Sequence, residues 1–149
     1  MRKQTFALMF HRAPKSSDDP GPQAMAPGIK ITTEIFPDAI NAAFDPLGGD
    51  SIAVMTNQAT VDPDGLHFTE CGTIKFGGDT NTLSFGSIGT GTLLGVPDAD
   101  GFSQGIVMWK VNSGTGIFQG ATGAITSNFL INLDTDELID YHFYLLYLP

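Results

Sequence analysis

From residue 51 onward the chain alternates apolar and polar residues with the period of two that a pleated strand imposes. Such runs cover about 51–61, 66–76, 82–94, 103–111, 123–133 and 138–148. Turn signals separate them: Asp62-Pro63-Asp64-Gly65, Gly77-Gly78-Asp79, Pro97-Asp98-Ala99-Asp100-Gly101, Asn112-Ser113-Gly114-Thr115-Gly116 and Asp134-Thr135-Asp136. Two earlier strand candidates, 4–11 and Ile29–Phe36, bring the count to eight. Between them Ala13–Pro27 carries four prolines with Ser, Asp and Gly, which predicts an irregular loop. Pro37–Phe44 reads as two helical turns with the proline near the start, ended by Asp45–Asp50. An antiparallel meander with short loops removes its exposed edges by closing on itself. The expected architecture is therefore all-β: one domain over 1–149, a closed eight-stranded antiparallel barrel with one short helix.

The connection between the strands at 103–111 and 123–133 runs Gly114-Thr115-Gly116-Ile117-Phe118-Gln119-Gly120-Ala121-Thr122-Gly123. It resembles the GTG-x-F-x-x-A-x-G segment of the allene oxide cyclase and dirigent-like β-barrels. The resemblance implies an eight-stranded antiparallel barrel, often trimeric or dimeric, with an apolar cavity for small lipophilic molecules. Its close part spans these ten residues, and no catalytic residue of the family is carried over from it.

Strand parity predicts which residues face inward. If Val61 opposes Leu66, Asn57 faces Glu70, and Leu66, Phe68, Ile74 and Phe76 share the interior face while Cys71 turns outward. If Phe76 opposes Leu83, Phe85 lies against Ile74, and Gly72, Gly89 and Gly91 leave space beside Glu70. Those glycines equally serve close strand approach and barrel curvature. If Leu133 opposes Leu138, Asp140, His142 and Tyr144 join Phe129 inside. A single bulge would instead turn Ile139, Tyr141, Phe143 and Leu145 inward. Both faces of this last strand are apolar enough for one to lie in an oligomer interface, and a homodimer or homotrimer is expected.

Composition narrows the functional classes. Hydrophobic residues make up 42% and charged residues 15%, and 18 Gly with 11 Phe favour strands and turns over helices. A formal charge of −9 argues against nucleic acid or an anionic membrane as partner. The single cysteine, Cys71, rules out an intramolecular disulfide and fits a reducing compartment. The apolar run Phe6–Phe10 is short for a secretory signal, and no stretch has the length of a transmembrane helix, so a cytoplasmic location is expected.

Several familiar chemistries lack their signatures. Gly114, Gly116 and Gly120 are wrongly spaced for a dinucleotide fingerprint, and no cofactor is expected. Asp62–Gly65 and Asp98–Gly101 echo calcium loops without the full ligand series, and read as turns. His11, His67 and His142 lack metal-ligand spacing, so no metal site is expected. No G-x-S-x-G elbow points to a serine hydrolase. The chemical candidate is Glu70, whose carboxyl in apolar surroundings should have a raised pKa suited to proton transfer, with His142 and Asp140 as possible catalytic partners. The candidate ligand-binding residues are Asn57, Phe68, Phe85, Phe129 and Tyr144. Three functions fit: a cyclase or isomerase acting on a lipophilic intermediate, a non-catalytic barrel for a small lipophilic molecule, or a packed barrel with an interaction role. A cavity containing a polar group separates the first two from the third.

Overall fold

The computed structural model describes residues 1–14, 23–27, 29–35, 37, 40–46, 52–99 and 101–149, with side chains in 23–46 described only at Ala24 and Pro37. The described strands are β1 (Arg2–Arg12), β2 (Gln23–Pro27), β3 (Ile29–Ile35), β4 (Ile40–Pro46), β5 (Ile52–Val61), β6 (His67–Phe76), β7 (Thr82–Ser87), β8 (Gly91–Gly95), β9 (Phe102–Gly114), β10 (Thr122–Asn132) and β11 (Leu138–Leu148). They pair in the order β10-β11-β1-β2-β5-β6-β7-β9, and β9 pairs back to β10, which closes the ring. β8 continues the line of β7, pairing with β6 on one side and β9 on the other. The result is the expected closed antiparallel barrel of eight staves, with β3 and β4 as a separate hairpin.

Three local expectations fail. The second stave is Gln23–Pro27, inside the stretch expected to be an irregular loop, whereas Ile29–Ile35 leaves the barrel to pair with β4. The helix expected at Pro37–Phe44 is replaced by strand β4, because pairing with β3 satisfies its backbone where two isolated helical turns would not. The run at 82–94 is split around Gly89, which has φ +71°.

Registers differ from expectation by two residues while parity is kept. Val61 opposes Phe68, Ile74 opposes Leu83, and Phe129 opposes Asp140. The turns explain the slip. Asp62 still bonds across to His67, with its N–H 2.8 Å from the His67 carbonyl, while Asp64 accepts from the N–H groups of Leu66 and His67. Leu66 thus belongs to the loop. Likewise the Asn132 N–H reaches the Glu137 carbonyl at 2.9 Å, and the Asn132 side chain accepts from Asp134 and Thr135, so Leu133 turns with the loop. A slip of two flips no side chain.

The end of the barrel that carries the β9–β10 connection is plugged. A short 3₁₀ turn, Gly116–Phe118, folds under the staves and buries Phe118 against Phe76, ring centroids 4.7 Å apart. Phe6 stacks on Tyr144 at 4.3 Å nearby, and Leu83, Leu146 and Leu148 complete the plug. The GTG segment is tied to the β6–β7 turn. Thr115 Oγ1 donates to the Thr80 carbonyl at 2.8 Å, and the Ile117 N–H donates to Asn81 Oδ1 at 3.0 Å. Gly116 sits at φ +57° with the Thr80 carbonyl 2.6 Å from where a Cβ would stand, so both conformation and space require glycine. The segment that resembles the barrel family is therefore a closure device, at the opposite end from the cavity described next.

Candidate functional site

At the other end, among the 62–66 and 133–137 turns and the end of β1, the interior opens into a cavity of about 120 Å³. Ala59, Phe68, Leu93, Phe129, Ile131 and Leu138 supply apolar walls, Val61 and Leu133 form an exposed rim, and Arg12, Asn57, Glu70 and Asp140 are the polar lining. Phe68 and Phe129 meet edge to face, centroids 5.7 Å apart. The inward glycines do not create this space. A Cβ at Gly91 would stand 2.5 Å from the Phe68 ring, one at Gly105 would strike the Phe129 ring, and one at Gly72 would meet the Phe85 ring at 2.7 Å. They make room for aromatic rings that wall or fill the barrel.

Glu70 is 9% exposed. Strand β6 points it inward opposite Ala59, two pairs along the ladder from the Asn57–Gly72 pair. From there Asn57 Nδ2 donates to Glu70 Oε1. The Glu70 N–H donates to Ser87 Oγ at 2.7 Å, fixing the backbone where β7 ends. Burial, followed by the negative charge of Asp140, pushes the Glu70 carboxyl up to about 7, against the opposing pull of Asn57 and the nearby Trp109 indole. Trp109 Nε1 itself is buried and makes no hydrogen bond of regular geometry. Its influence on Glu70 is one of proximity.

Behind Asp140 runs a buried polar chain on β10 and β11. Ser127 Oγ donates to Asp140 Oδ1 at 2.7 Å, His142 Nε2 lies 2.8 Å from Asp140 Oδ2, and His142 Nδ1 lies 3.0 Å from the Tyr144 hydroxyl. A neutral imidazole protonated on Nε2 satisfies all of these contacts: it donates to Asp140 and accepts from Tyr144. Burial and then the Asp140 charge raise the Tyr144 phenol well above its ordinary value, so it remains a donor. The imidazole packs 4.6 Å from the Phe10 ring and edge-on to Trp109 at 4.9 Å.

Of the residues singled out from sequence, Glu70, Asp140, Asn57, Phe68 and Phe129 line the cavity. His142 and Tyr144 face inward beneath Asp140 without lining it. Phe85 is packed away, stacked on Trp109 at 4.1 Å. The reading missed Arg12, Leu93, Ile131 and Leu138, as well as the role of Ser127. Arg12 had a signal: it shares parity with Leu8 and Phe10, both buried. Its guanidinium is held at the rim by Asp136, Nη2 to Oδ1 at 2.5 Å and Nε to the carbonyl at 2.8 Å. Among the described residues no three His, Cys, Asp or Glu side chains cluster as metal ligands.

No protein-family model matches the chain, and no curated protein matches it. A solved structure, that of a pterocarpan synthase dirigent protein, is similar to it over 99% of this chain and 89% of that one, at 15% sequence identity and a TM-score of 0.49.

Proposed function

We propose that this barrel takes a small lipophilic molecule at its open end and exchanges a proton with it through Glu70, as a cyclase or isomerase. The observation that carries the reading is a buried carboxyl group lining an apolar cavity, which burial pushes up to about 7. Such a group changes protonation state at little cost near neutral pH, as general acid–base catalysis requires. Asp140 stands beside it, held in place by its hydrogen bonds with Ser127 and His142.

Size sets a bound. A cavity of about 150 Å³ holds benzene, so about 120 Å³ takes one ring or a short branched chain. Larger ligands must leave their remainder across Val61 and Leu133. Binding without turnover is the second reading, favoured by the sealing of His142 and Tyr144 from the cavity.

A small β,γ-unsaturated cyclic ketone tests the first reading, because its conversion to the conjugated isomer needs only proton removal and return. The expected result is catalysed conversion with a pH-rate inflection near that of Glu70, lost in Glu70→Gln. Binding of the ketone with no conversion in either protein would leave the non-catalytic reading.

A further inference from the structure

One oxygen of a buried carboxyl group, Oε2 of Glu70, faces the cavity with no hydrogen-bond partner among the described residues. We propose that the ligand engages it as a small lipophilic cation, such as a protonated amine on a ring-sized apolar body. The inference rests on the cavity reading above and adds the ligand's chemical class.

Each charged lining group has a definite partner. Arg12 is neutralised at the rim by Asp136 through the 2.5 Å ion pair. Asp140 receives its two short hydrogen bonds from the hydroxyl of Ser127 and the imidazole of His142. Glu70 is engaged through Oε1 by the neutral amide of Asn57, and Oε2 has no hydrogen-bond partner among the described residues. The side chain is nine-tenths buried and lines the cavity. Glu70 therefore presents to the cavity a buried carboxyl oxygen that no described residue engages.

The walls fit the same ligand. The rings of Phe68 and Phe129 stand edge to face at the cavity, and an aromatic face attracts a cation that has shed water. Leu93, Ile131 and Leu138 match an apolar body rather than a hydrated ion. The formal charge of −9 on the chain favours approach of cations over anions. A charged ligand of this kind would also hold Glu70 ionised, since an opposite charge close by favours the carboxylate.

Three probes that share a benzyl-type skeleton separate the possibilities: benzylamine, benzyl alcohol and benzoate, titrated against the full chain with backbone amide NMR shifts as readout. At a pH of about 8, where Glu70 is ionised, benzylamine should bind roughly tenfold or more tighter than benzyl alcohol, and benzoate most weakly. Glu70→Gln should remove that preference and leave benzyl alcohol affinity within about twofold. The unmodified chain gives the same answer without a variant: lowering the pH to about 5.5 protonates Glu70 and should erase the amine preference. The groups facing Glu70 are Asn57 on β5, Trp109 on β9 and Asp140 on β11, with Arg12 of β1 at the rim of the same cavity and His142 behind Asp140; Asp140, Arg12 and His142 are the other titratable groups. Equal binding of amine and alcohol, or tighter binding of benzoate, overturns the inference and leaves the cavity reading standing. Failure of all three to shift the amides of Phe68, Leu93 and Phe129 overturns both.

Discussion

Burying Glu70 should cost the folded chain stability in a pH window that can be measured. Its carboxyl is raised from the ordinary 4.5 to about 7, chiefly by burial. Between those values the unfolded chain has released this proton while the folded chain still holds it. Stability therefore falls as pH rises through the window: the group's contribution is fully present below about 4.5 and lost above about 7. At about 1.4 kcal/mol per pH unit, the gap corresponds to about 3 kcal/mol. Replacing Glu70 with Gln keeps a hydrogen-bond acceptor for Asn57 and removes the titration. Urea unfolding of both proteins at a pH of about 4.5 should give stabilities within about 1 kcal/mol of each other. At a pH of about 8.5 the variant should be more stable by up to about 3 kcal/mol, or roughly 6–12 °C in Tm for a chain of this size. A difference between the two proteins that does not change across this range would refute the assigned burial of the charge.

Other expected outcomes follow from single contacts. Trp109→Phe removes an indole N–H that favours the charged Glu70, so the Glu70 titration midpoint read by NMR should move upward. Gly105→Ala drives a methyl into the Phe129 ring, and unfolding curves should show a loss of about 1–3 kcal/mol together with altered shifts along the cavity wall. The outer wall of β9, β10 and β11 exposes Ile106, Met108, Leu130 and Phe143. The chain should therefore sediment as a dimer or trimer, and Phe143→Glu should shift it toward monomer while leaving the circular dichroism spectrum unchanged.

Parity was legible in the sequence, and register was not. The alternation of Phe68, Glu70 and Ile74 against Thr69, Cys71 and Thr73 places each on its observed face, because a strand has only two faces to offer. The position of the four-residue loops depends on side chains that cap backbone groups. Asp64 draws Leu66 into its turn and Asn132 draws Leu133 into another, and nothing in the apolar pattern signals either. The Asn57–Glu70 contact survives the slip since a diagonal neighbour remains within reach of two polar side chains. Residues 37–46 failed for a different reason. Ile40-Asn41-Ala42-Ala43-Phe44 has a composition that suits helix, and a partner strand decides otherwise. Arg12 was overlooked because an arginine at a strand end reads as solvated, whereas here its apolar stem covers the cavity edge and Asp136 takes its charge.

The plug beneath the barrel makes it a cup rather than a tube. With Phe118, Phe76 and Phe6 filling the base, the way out that the described residues leave to a molecule entering past Val61 and Leu133 is past them again. Arrival and departure then share one doorway and cannot overlap in time. On the proposed catalytic reading, a product that lingers there would compete with the next molecule for the cavity. The ten-residue connection at the far end would thereby set the order of traffic through a cavity it does not line.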